Sequence, residues 1–391
     1  MQARKEKLLV VIGTLTHMGG AERQALYLVQ HLATLRGCDV EVLTFGDGDA
    51  LRLPLEALGV PVHVVPYYFR WPKARRARAL ARIAWLLRTH VKPDALLPFG
   101  APSSKAMGLV ARYAGARFCW WNQQDEGREL AGTGVERRIL REMTCITSNS
   151  VAGQTFLSQT YDLNPASVLI YNNGTPLPDA SLIRSDWRRR LNLGQRRIVS
   201  MIANVTEYKD HDTLIDAWAT VRRHVTAFEE KPALLLAGFL KETATVTKLK
   251  IKAFNLGLSA DDVYFLGAID DVDELIVESD VVVHSSLTEG CPNAVCEAMA
   301  LSRAVVATDI PGCRQALGEQ GDRWLAAPGN PDDMARKIIE LLNDASLRRC
   351  AGATNRARIE SEFSISGMNS FFQRQLESGL QCSLGGMSRA T

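Results

Sequence analysis

The sequence predicts an α/β protein with two domains, each built on a parallel β-sheet. Short apolar runs of strand length alternate with helical patterns along most of the 391 residues, and this alternation is typical of parallel sheets. The stretch 171–186 is rich in Asn, Gly and Pro and carries no periodicity, which marks it as a linker. A chain of this length can also form two hydrophobic cores of ordinary size.

The first predicted domain opens with a continuous apolar run at residues 8–15, as expected for a parallel strand buried on both faces. Gly19 and Gly20 follow and open a helix whose apolar residues, Leu28 and Leu32 among them, lie on one face. Further strands are predicted at 40–45, 62–65, 95–98, 118–122 and 145–148.

The second predicted domain repeats the alternation after the linker. Its strands are predicted at 198–203, 233–237, 263–265, 280–284 and 305–307. One helix is expected from 331 to 343 and a helical tail from 348 to 378. The last dozen residues are expected to be disordered.

One stretch of the second domain, residues 281–309, concentrates the features of a binding site. It reads as a strand, a loop with Glu289, a helix from Asn293 and a second strand. The unpaired N–H groups at the start of the helix would lie beside the carboxyl end of the first strand, where anions bind. Glu297 lies four residues after Asn293 and so projects from the same helix face. The stretch therefore suits a ligand with a phosphate and hydroxyl groups.

Composition and charge narrow the functional classes. Hydrophobic residues make up 46% and charged residues 23% of the chain, which is the balance of a soluble globular enzyme. The net charge of +3 is too small to indicate nucleic acid. The eight cysteines include no CxxC pair, so they indicate neither zinc nor disulfides and favour a cytoplasmic location. The sequence shows no apolar run suited to a membrane helix or a convincing signal peptide.

Four segments, in family order, resemble glycosyltransferase family 4, a large group of retaining GT-B enzymes. EGCPNAVCE at 289–297, followed by Pro311 and Gly312, resembles the family's two acids separated by seven residues. NNGTP at 172–176 resembles its interdomain turn. ANVTEYKDHDTLIDAW at 203–218 resembles the branch with an N…KDH motif, and MGGAER at 18–23 resembles the glycine loop of the first domain.

The resemblance implies two Rossmann-like domains facing across a cleft and a retaining transfer of sugar from a nucleotide diphosphate donor to a glycan or lipid-linked acceptor. Cell-envelope polysaccharide or glycoconjugate synthesis is the expected setting. Four parts of the chain are expected: an acceptor-side domain at 1–175, a donor-binding domain at 176–351, a helix crossing back to the first domain at 352–376 and a disordered tail at 380–391.

By the same resemblance, Glu297 is expected to hold the donor ribose, because a carboxylate can accept hydrogen bonds from both vicinal hydroxyls. Glu289 is expected to contact the donor sugar near its anomeric centre, either to hold hydroxyls or to stabilise positive charge in the transition state. Backbone N–H groups are expected to bind the sugar and phosphates at Cys291, Asn293, Ala294 and Val295. A nucleophilic thiol at Cys291 is the alternative, but the nearby sequence suggests no His partner.

Lys209 is expected to neutralise the negative charge that grows on the diphosphate leaving group. The family often has an Arg five residues earlier, whereas this chain has Asn204 there. One cation of the usual pair is therefore missing, and Lys209 would carry more of the mechanism. The alternative is an ordinary surface lysine.

In the first domain, Gly19 and Gly20 would let the backbone approach the donor closely, unless they only form a tight turn. His17, Gln124 and Asp125 are candidate contacts to the sugar or the acceptor. Many relatives have a His before the acid, and Gln124 cannot exchange protons in its place.

No cofactor is expected, because the nucleotide sugar is itself the substrate, and a UDP-sugar is favoured over a GDP-sugar. The histidines lack the spacing of a metal site. Transfer is therefore expected to need no metal.

Residues 57–93 contain eight basic residues and no acid. On a helix, Arg75, Arg78 and Arg82 would lie opposite an apolar stripe. This face is predicted to bind anionic lipid on the inner face of a membrane, and nucleic acid is not expected as a partner. The alternative is a solvated basic face over a helix packed on the core.

Other functions fit the same scaffold. A nucleotide-sugar epimerase or phosphorylase is one alternative, and a catalytically inactive GT-B subunit that binds a membrane or a partner is another. An NAD dehydrogenase is disfavoured because the first turn lacks GxGxxG and the second strand does not end in an acid at the expected place.

Overall fold

The computed structural model describes residues 4–16, 19–224, 231–240 and 243–387, with only the backbone described for residues 243 and 381–387. The chain divides into two compact units, Met1–Gly174 with Ile365–Thr391 and Thr175–Ser364. Each unit is built on one parallel sheet with helices packed on it. The predicted fold class, α/β with two parallel sheets, is confirmed.

The sheet of the first unit begins the chain. Its strands are β1 (Glu6–Ile12), β2 (Cys38–Thr44), β3 (Val62–Val64), β4 (Ala95–Pro98), β5 (Phe118–Gln123), β6 (Cys145–Ser148) and β7 (Val168–Ile170). Between them lie α1 (Gly20–Thr34), α2 (Asp49–Ala57), α3 (Lys73–Leu86), α4 (Ala101–Ala114), α5 (Gly134–Glu142) and α6 (Val151–Tyr161). In the described residues the strand order is β3-β2-β1-β4-β5-β6-β7, with every pair parallel.

The continuous apolar run of β1 is explained by burial on both faces of this sheet. Val10 packs in one cluster with Leu28 of α1. Val11 points the other way and packs in a second cluster with Ile83 of α3. Successive side chains of a strand alternate between faces, so a central strand covered by helices on both sides needs apolar residues throughout.

The second unit repeats this plan. Its strands are β8 (Ile198–Ile202), β9 (Ala233–Ala237), β10 (Val263–Gly267), β11 (Val281–His284), β12 (Ala304–Thr308) and β13 (Leu325–Ala326). Its helices are α7 (Trp187–Arg190), α8 (His211–His224), α9 (Thr243–Asn255), α10 (Val272–Glu278), α11 (Asn293–Ala300), α12 (Pro311–Leu317), α13 (Pro331–Asn343) and α14 (Ala345–Glu362). Across the described ranges the order is β10-β9-β8-β11-β12-β13, and all pairs are parallel.

The helical tail predicted at 348–378 is two helices. Helix α14 stays with the second unit, where Ile359 is buried and a Cβ at Gly352 would meet the carbonyl oxygen of Ser302 at 2.0 Å. The final helix, α15 (Ile365–Met387), belongs to the first unit. There the ring of Phe372 lies 4.8 Å from that of Trp120, centroid to centroid.

The unit boundaries differ from the predicted ones. They lie after Gly174 and after Ser364, whereas the sequence analysis places them after 175 and after 351. Residues 352–362 stay with the second unit because α14 buries its apolar residues there. Helix α15 covers residues 380–387 of the tail predicted as disordered, and residues 388–391 lie outside the described residues.

Two strands are missed by the sequence analysis. They are β7, with three residues, and β13, with two. Each lies at one edge of its sheet. Strands this short show neither an apolar run nor a clear alternation, so periodicity does not detect them.

Candidate active site

The candidate site lies at the carboxyl ends of β8 and β11 in the second unit. Strand β11 lies between β8 and β12, and helix α11 joins β11 to β12. The strand, loop, helix, strand unit predicted for 281–309 is therefore present. Lys209 ends a short 3₁₀ helix, Glu207–Lys209, after β8, and Glu289 lies in the loop after β11. Parallel strands end at the same edge of a sheet, so the two side chains meet there.

Lys209 and Glu289 form a buried ion pair. Nζ of Lys209 contacts Oε1 of Glu289, and the two side chains are only 15% and 9% exposed. His284, the last residue of β11, places Nε2 at 2.9 Å from the same oxygen. Within the described part of the chain, Oε2 of Glu289 accepts no hydrogen bond. This second oxygen therefore keeps its capacity to accept hydrogen bonds from a ligand.

Backbone contacts hold the loop that carries Lys209. Oγ of Ser285 donates to the carbonyl oxygen of Lys209 at 3.1 Å, and Oγ of Ser286 donates to that of Tyr208 at 3.0 Å. The N–H of Leu287 also donates to the Tyr208 carbonyl, at 2.8 Å. The loops after β8 and β11 are thus joined, and the ion pair does not depend on its own attraction alone for its position.

Gly312, the second residue of α12, packs against the backbone of the Glu289 loop. A Cβ at this position would lie 2.1 Å from the carbonyl oxygen of Gly290 and 2.7 Å from that of Glu289. Because Cβ atoms do not approach oxygens this closely, only glycine fits. The glycine that follows Pro311, after the two acids, therefore has a steric reason in the position of Glu289.

Protonation states follow from burial and charge. Burial alone would raise the pKa of Glu289, but the charge of Lys209 and the hydrogen bond from His284 hold this pKa well below its usual range. Burial lowers the pKa of His284. At neutral pH the carboxylate is ionised and the imidazole is neutral, so Nε2 of His284 carries the ring proton and donates a hydrogen bond to Oε1 of Glu289.

Helix α11 begins at Asn293, where the sequence predicts it. The N–H of Val295 donates to the carbonyl oxygen of Pro292 at 3.0 Å within the first turn. Sγ of Cys291 lies 4.0 Å from Sγ of Cys296, and both residues are buried in an apolar cluster. The contact with Cys291, together with burial, raises the pKa of Cys296 well above its usual value. Cys296 is therefore a neutral thiol that packs as an apolar group.

Three further predicted donor contacts lie in this unit. Ala294 is half-buried in the first turn of α11, and Glu297 is half-buried one turn after Asn293. Asn204 follows β8, and its Oδ1 accepts a hydrogen bond from the N–H of Phe239 at 3.0 Å. The side-chain oxygen of Asn204 thus fixes the loop after β9, which leaves its amide nitrogen for the predicted role.

The remaining predicted site residues belong to the first unit. Gly19 precedes α1 and Gly20 is its first residue, whereas His17 lies outside the described residues. The amide nitrogen of Gln124 contacts Oδ1 of Asn122 and Oη of Tyr171. Gln124 is therefore held in a polar network at the end of β5.

Asp125 is also engaged locally. Its Oδ1 accepts hydrogen bonds from Nε2 of Gln123 at 2.6 Å and from the N–H of Gly127 at 2.8 Å. Burial raises the pKa of Asp125. The structure therefore places Gln124 and Asp125 in one unit and the Lys209–Glu289 pair in the other, and their roles toward a sugar stay predictions.

His284 is the contact of Glu289 that the sequence analysis misses, since it considers this histidine only as a possible metal ligand. A lone histidine at the end of an apolar strand is usually part of the core. The available signal is its position five residues before Glu289, at the end of the strand that leads into the acidic loop. In the described residues, no group of three or more His, Cys, Asp or Glu side chains is arranged to hold a metal.

The basic surface of the first unit has the predicted helix at its centre. Helix α3 buries Ala79 and Ile83, while Arg75, Arg78 and Arg82 are exposed. Among the described residues, no helix is both long enough and apolar enough to cross a bilayer.

Two family models match successive parts of the chain. The model described as Glycosyltransferase Family 4 matches residues 18–177, and the model described as Glycosyl transferases group 1 matches residues 196–344. Between them they cover most of both sheets.

Curated relatives agree with these matches. The chain is 31% identical over 162 residues to the N,N'-diacetylbacillosaminyl-diphospho-undecaprenol alpha-1,3-N-acetylgalactosaminyltransferase of Campylobacter jejuni, an alignment that spans 41% of this chain and 39% of that enzyme. An uncharacterized glycosyltransferase of Methanocaldococcus jannaschii is 20% identical over 383 residues, which is 92% of this chain and 95% of the relative.

Among solved structures, HepE of Anabaena in complex with UDP and glucose is similar, with a TM-score of 0.80, 20% identity and coverage of 95% of this chain and 100% of that one. The two Rossmann-like units and the structural similarity to HepE define the chain as a protein of the GT-B fold. Within that class, the chain belongs to the glycosyltransferases of family 4.

Proposed function

We propose that the chain transfers a sugar from a nucleotide diphosphate sugar to a glycan or lipid-linked acceptor with retention of the α configuration. A UDP-sugar is favoured over a GDP-sugar as the donor. The Lys209–Glu289 pair carries this proposal, because it sets a cation suited to a leaving diphosphate beside a carboxylate suited to sugar hydroxyls. Support also comes from the name of the Campylobacter relative, which specifies a diphospho-undecaprenol acceptor and an α linkage, and from the UDP and glucose in HepE.

In this mechanism the bond between the anomeric carbon and the diphosphate oxygen breaks while the acceptor hydroxyl attacks from the same face. The departing phosphate takes the proton of that hydroxyl, so no enzymic nucleophile is needed. Nζ of Lys209 stabilises the negative charge on the leaving group. Oε2 of Glu289 accepts hydrogen bonds from the sugar and faces its developing positive charge.

A donor panel tests the proposal. The protein is incubated with individual nucleotide sugars, with and without a polyprenyl-diphosphate-linked glycan, in buffers with Mg²⁺ or with EDTA. Nucleoside diphosphate should be released only when acceptor is present, and equally in both buffers. The NMR coupling constant of the new linkage should report the α anomer. Interconversion of donors without acceptor would indicate an epimerase. Release of a sugar phosphate that requires added inorganic phosphate would indicate a phosphorylase, and binding without turnover an inactive subunit.

Glu297→Ala should weaken the affinity for UDP by about 10-fold or more, since a charge-assisted hydrogen bond contributes about 1.5 to 3 kcal/mol. Turnover at saturating donor should change less, because the ribose contact is expected to be equal in the ground and transition states. Calorimetric titration with UDP and steady-state kinetics measure both. Glu340→Ala is the matched control, a half-buried helical glutamate in the same unit. Equal UDP affinity in the two variants would remove Glu297 from the donor site.

The basic face of α3 is proposed to hold the first unit on anionic lipid. Replacing Arg75, Arg78 and Arg82 together by Gln should weaken binding to vesicles of anionic phospholipid by about 100-fold, because each basic residue near such a surface contributes about 1 kcal/mol. Co-sedimentation with vesicles at low and physiological salt measures this change.

The control for this variant removes equal charge from the second unit. It replaces three exposed arginines, Arg323, Arg336 and Arg349, by Gln. If lipid binding is specific to the basic face of α3, this control should sediment with vesicles as the wild type does. If both triple variants lost binding equally, net charge rather than α3 would explain the attraction, and the membrane proposal would fail.

A further inference from the structure

His284 is buried at the end of β11, one of the two central strands in the sheet of the second unit. The residue is 2% exposed, and its Nε2 lies 2.9 Å from Oε1 of Glu289. A second buried histidine nearby, His211, is 3% exposed, but neither of its ring nitrogens has a hydrogen-bond partner among the described residues. The hydrogen bond to Glu289 therefore distinguishes His284 from a histidine that only fills space.

Both donors to Glu289 meet the same oxygen. Lys209 and His284 each contact Oε1, and within the described residues neither of them donates a hydrogen bond to Oε2. Lys209, however, has a second task in the proposed mechanism. When a diphosphate binds, its charge competes with Glu289 for Nζ, and a carboxylate held by Lys209 alone would lose its orientation at that moment.

We propose that His284 is a positioning residue of the transfer reaction. It keeps Oε1 of Glu289 in place while Lys209 shifts toward the diphosphate, so that Oε2 stays directed at the donor sugar. The neutral imidazole suits this task, because the negative diphosphate attracts the cation of Lys209 far more than an uncharged ring. This inference rests on the proposed function, since it concerns the same donor.

Loss of the His284 hydrogen bond should affect the binding of UDP and the reaction of a UDP-sugar differently. UDP lacks the sugar that Glu289 would contact, so His284→Leu should leave the affinity for UDP within about 2-fold of the wild type. With the full donor, kcat should fall by about 10-fold or more, the usual range for loss of a hydrogen bond to a charged group. His284→Gln should recover most of this loss, since its amide nitrogen can donate from nearly the same position.

The matched control removes a similar bond elsewhere. Nε2 of His63 lies 2.6 Å from Oε2 of Glu41 in the first unit, and His63→Leu should keep wild-type kcat. Calorimetry with UDP, steady-state kinetics with the UDP-sugar that the donor panel identifies and thermal unfolding are measured for all three variants.

The outcomes separate the two proposals. Normal UDP affinity with reduced kcat in His284→Leu and recovery in His284→Gln supports the positioning role. Wild-type kcat in His284→Leu overturns that role and leaves the transferase function intact. Loss of UDP binding in both His284 variants also overturns it, because the histidine would then be structural. If the wild type transfers sugar from no donor, the proposed function fails and the positioning role fails with it.

Discussion

Lys209→Ala is expected to lower kcat by about 100-fold or more, the range for loss of a preorganised charge that stabilises a leaving group. Lys209 is the one residue of the described site that brings a positive charge to Glu289, because His284 is neutral at physiological pH. Asn204, five residues before Lys209, is uncharged, so the variant would keep no second cation from that position. The affinity for UDP should fall less than kcat.

The same substitution should destabilise the protein by about 3 to 5 kcal/mol, because it leaves the buried carboxylate of Glu289 without its cation. In the wild type the lowered pKa of Glu289 stabilises the fold above the unfolded value of about 4.3, and this contribution is lost as pH falls through the folded pKa. In the variant the pKa of Glu289 should be higher than in the wild type, because burial is no longer opposed by the charge of Lys209. The deficit in Tm relative to the wild type should therefore be full at pH 7.5 and smaller at pH 5.

A double variant separates stability from catalysis. Adding Glu289→Gln to Lys209→Ala removes the unpaired charge, so Tm should recover while kcat stays low. Recovery of kcat in the double variant would contradict a role of Lys209 toward the leaving group. A Tm that stayed low at every pH would show that the lysine stem, rather than its charge, stabilises the site.

Much of the second unit's site is predictable from sequence because its parts lie within one short stretch. Residues 281–309 contain the strand, the loop, the helix start and both acids, so local periodicity places Glu289 and Glu297 on their elements. Lys209 is 80 residues away from Glu289. Only the resemblance to the family links Lys209 to that loop, since no local pattern reports that β8 and β11 are neighbours.

The rest could not be predicted because it depends on distances that sequence does not carry. His284 ends an apolar strand and therefore resembles a core residue in the sequence. Its hydrogen bond to Glu289 depends on the turn made by the intervening loop. The same holds for the division of the C-terminal helices. Helices α14 and α15 are separated by Phe363 and Ser364 alone, and the helical pattern continues on both sides of this short break.

Gly312→Ala is expected to reduce both stability and activity, although alanine favours a helix by about 1 kcal/mol over glycine. The added Cβ would lie 2.1 Å and 2.7 Å from two backbone oxygens of the Glu289 loop, so no side-chain rotation can relieve the contact. Overpacking of this kind costs about 1 to 3 kcal/mol. The loop must move away from α12, and it carries Glu289 with it.

A displacement of about 1 Å at a catalytic group can lower turnover by about 100-fold, so kcat of Gly312→Ala should fall far more than its Tm alone would suggest. Thermal unfolding and steady-state kinetics below the transition measure the two effects separately. Gly37→Ala is the matched control, because a Cβ there meets nothing within 4 Å. A higher Tm with unchanged kcat in Gly312→Ala would mean that the loop yields freely, and that the position of Glu289 does not depend on its contact with α12.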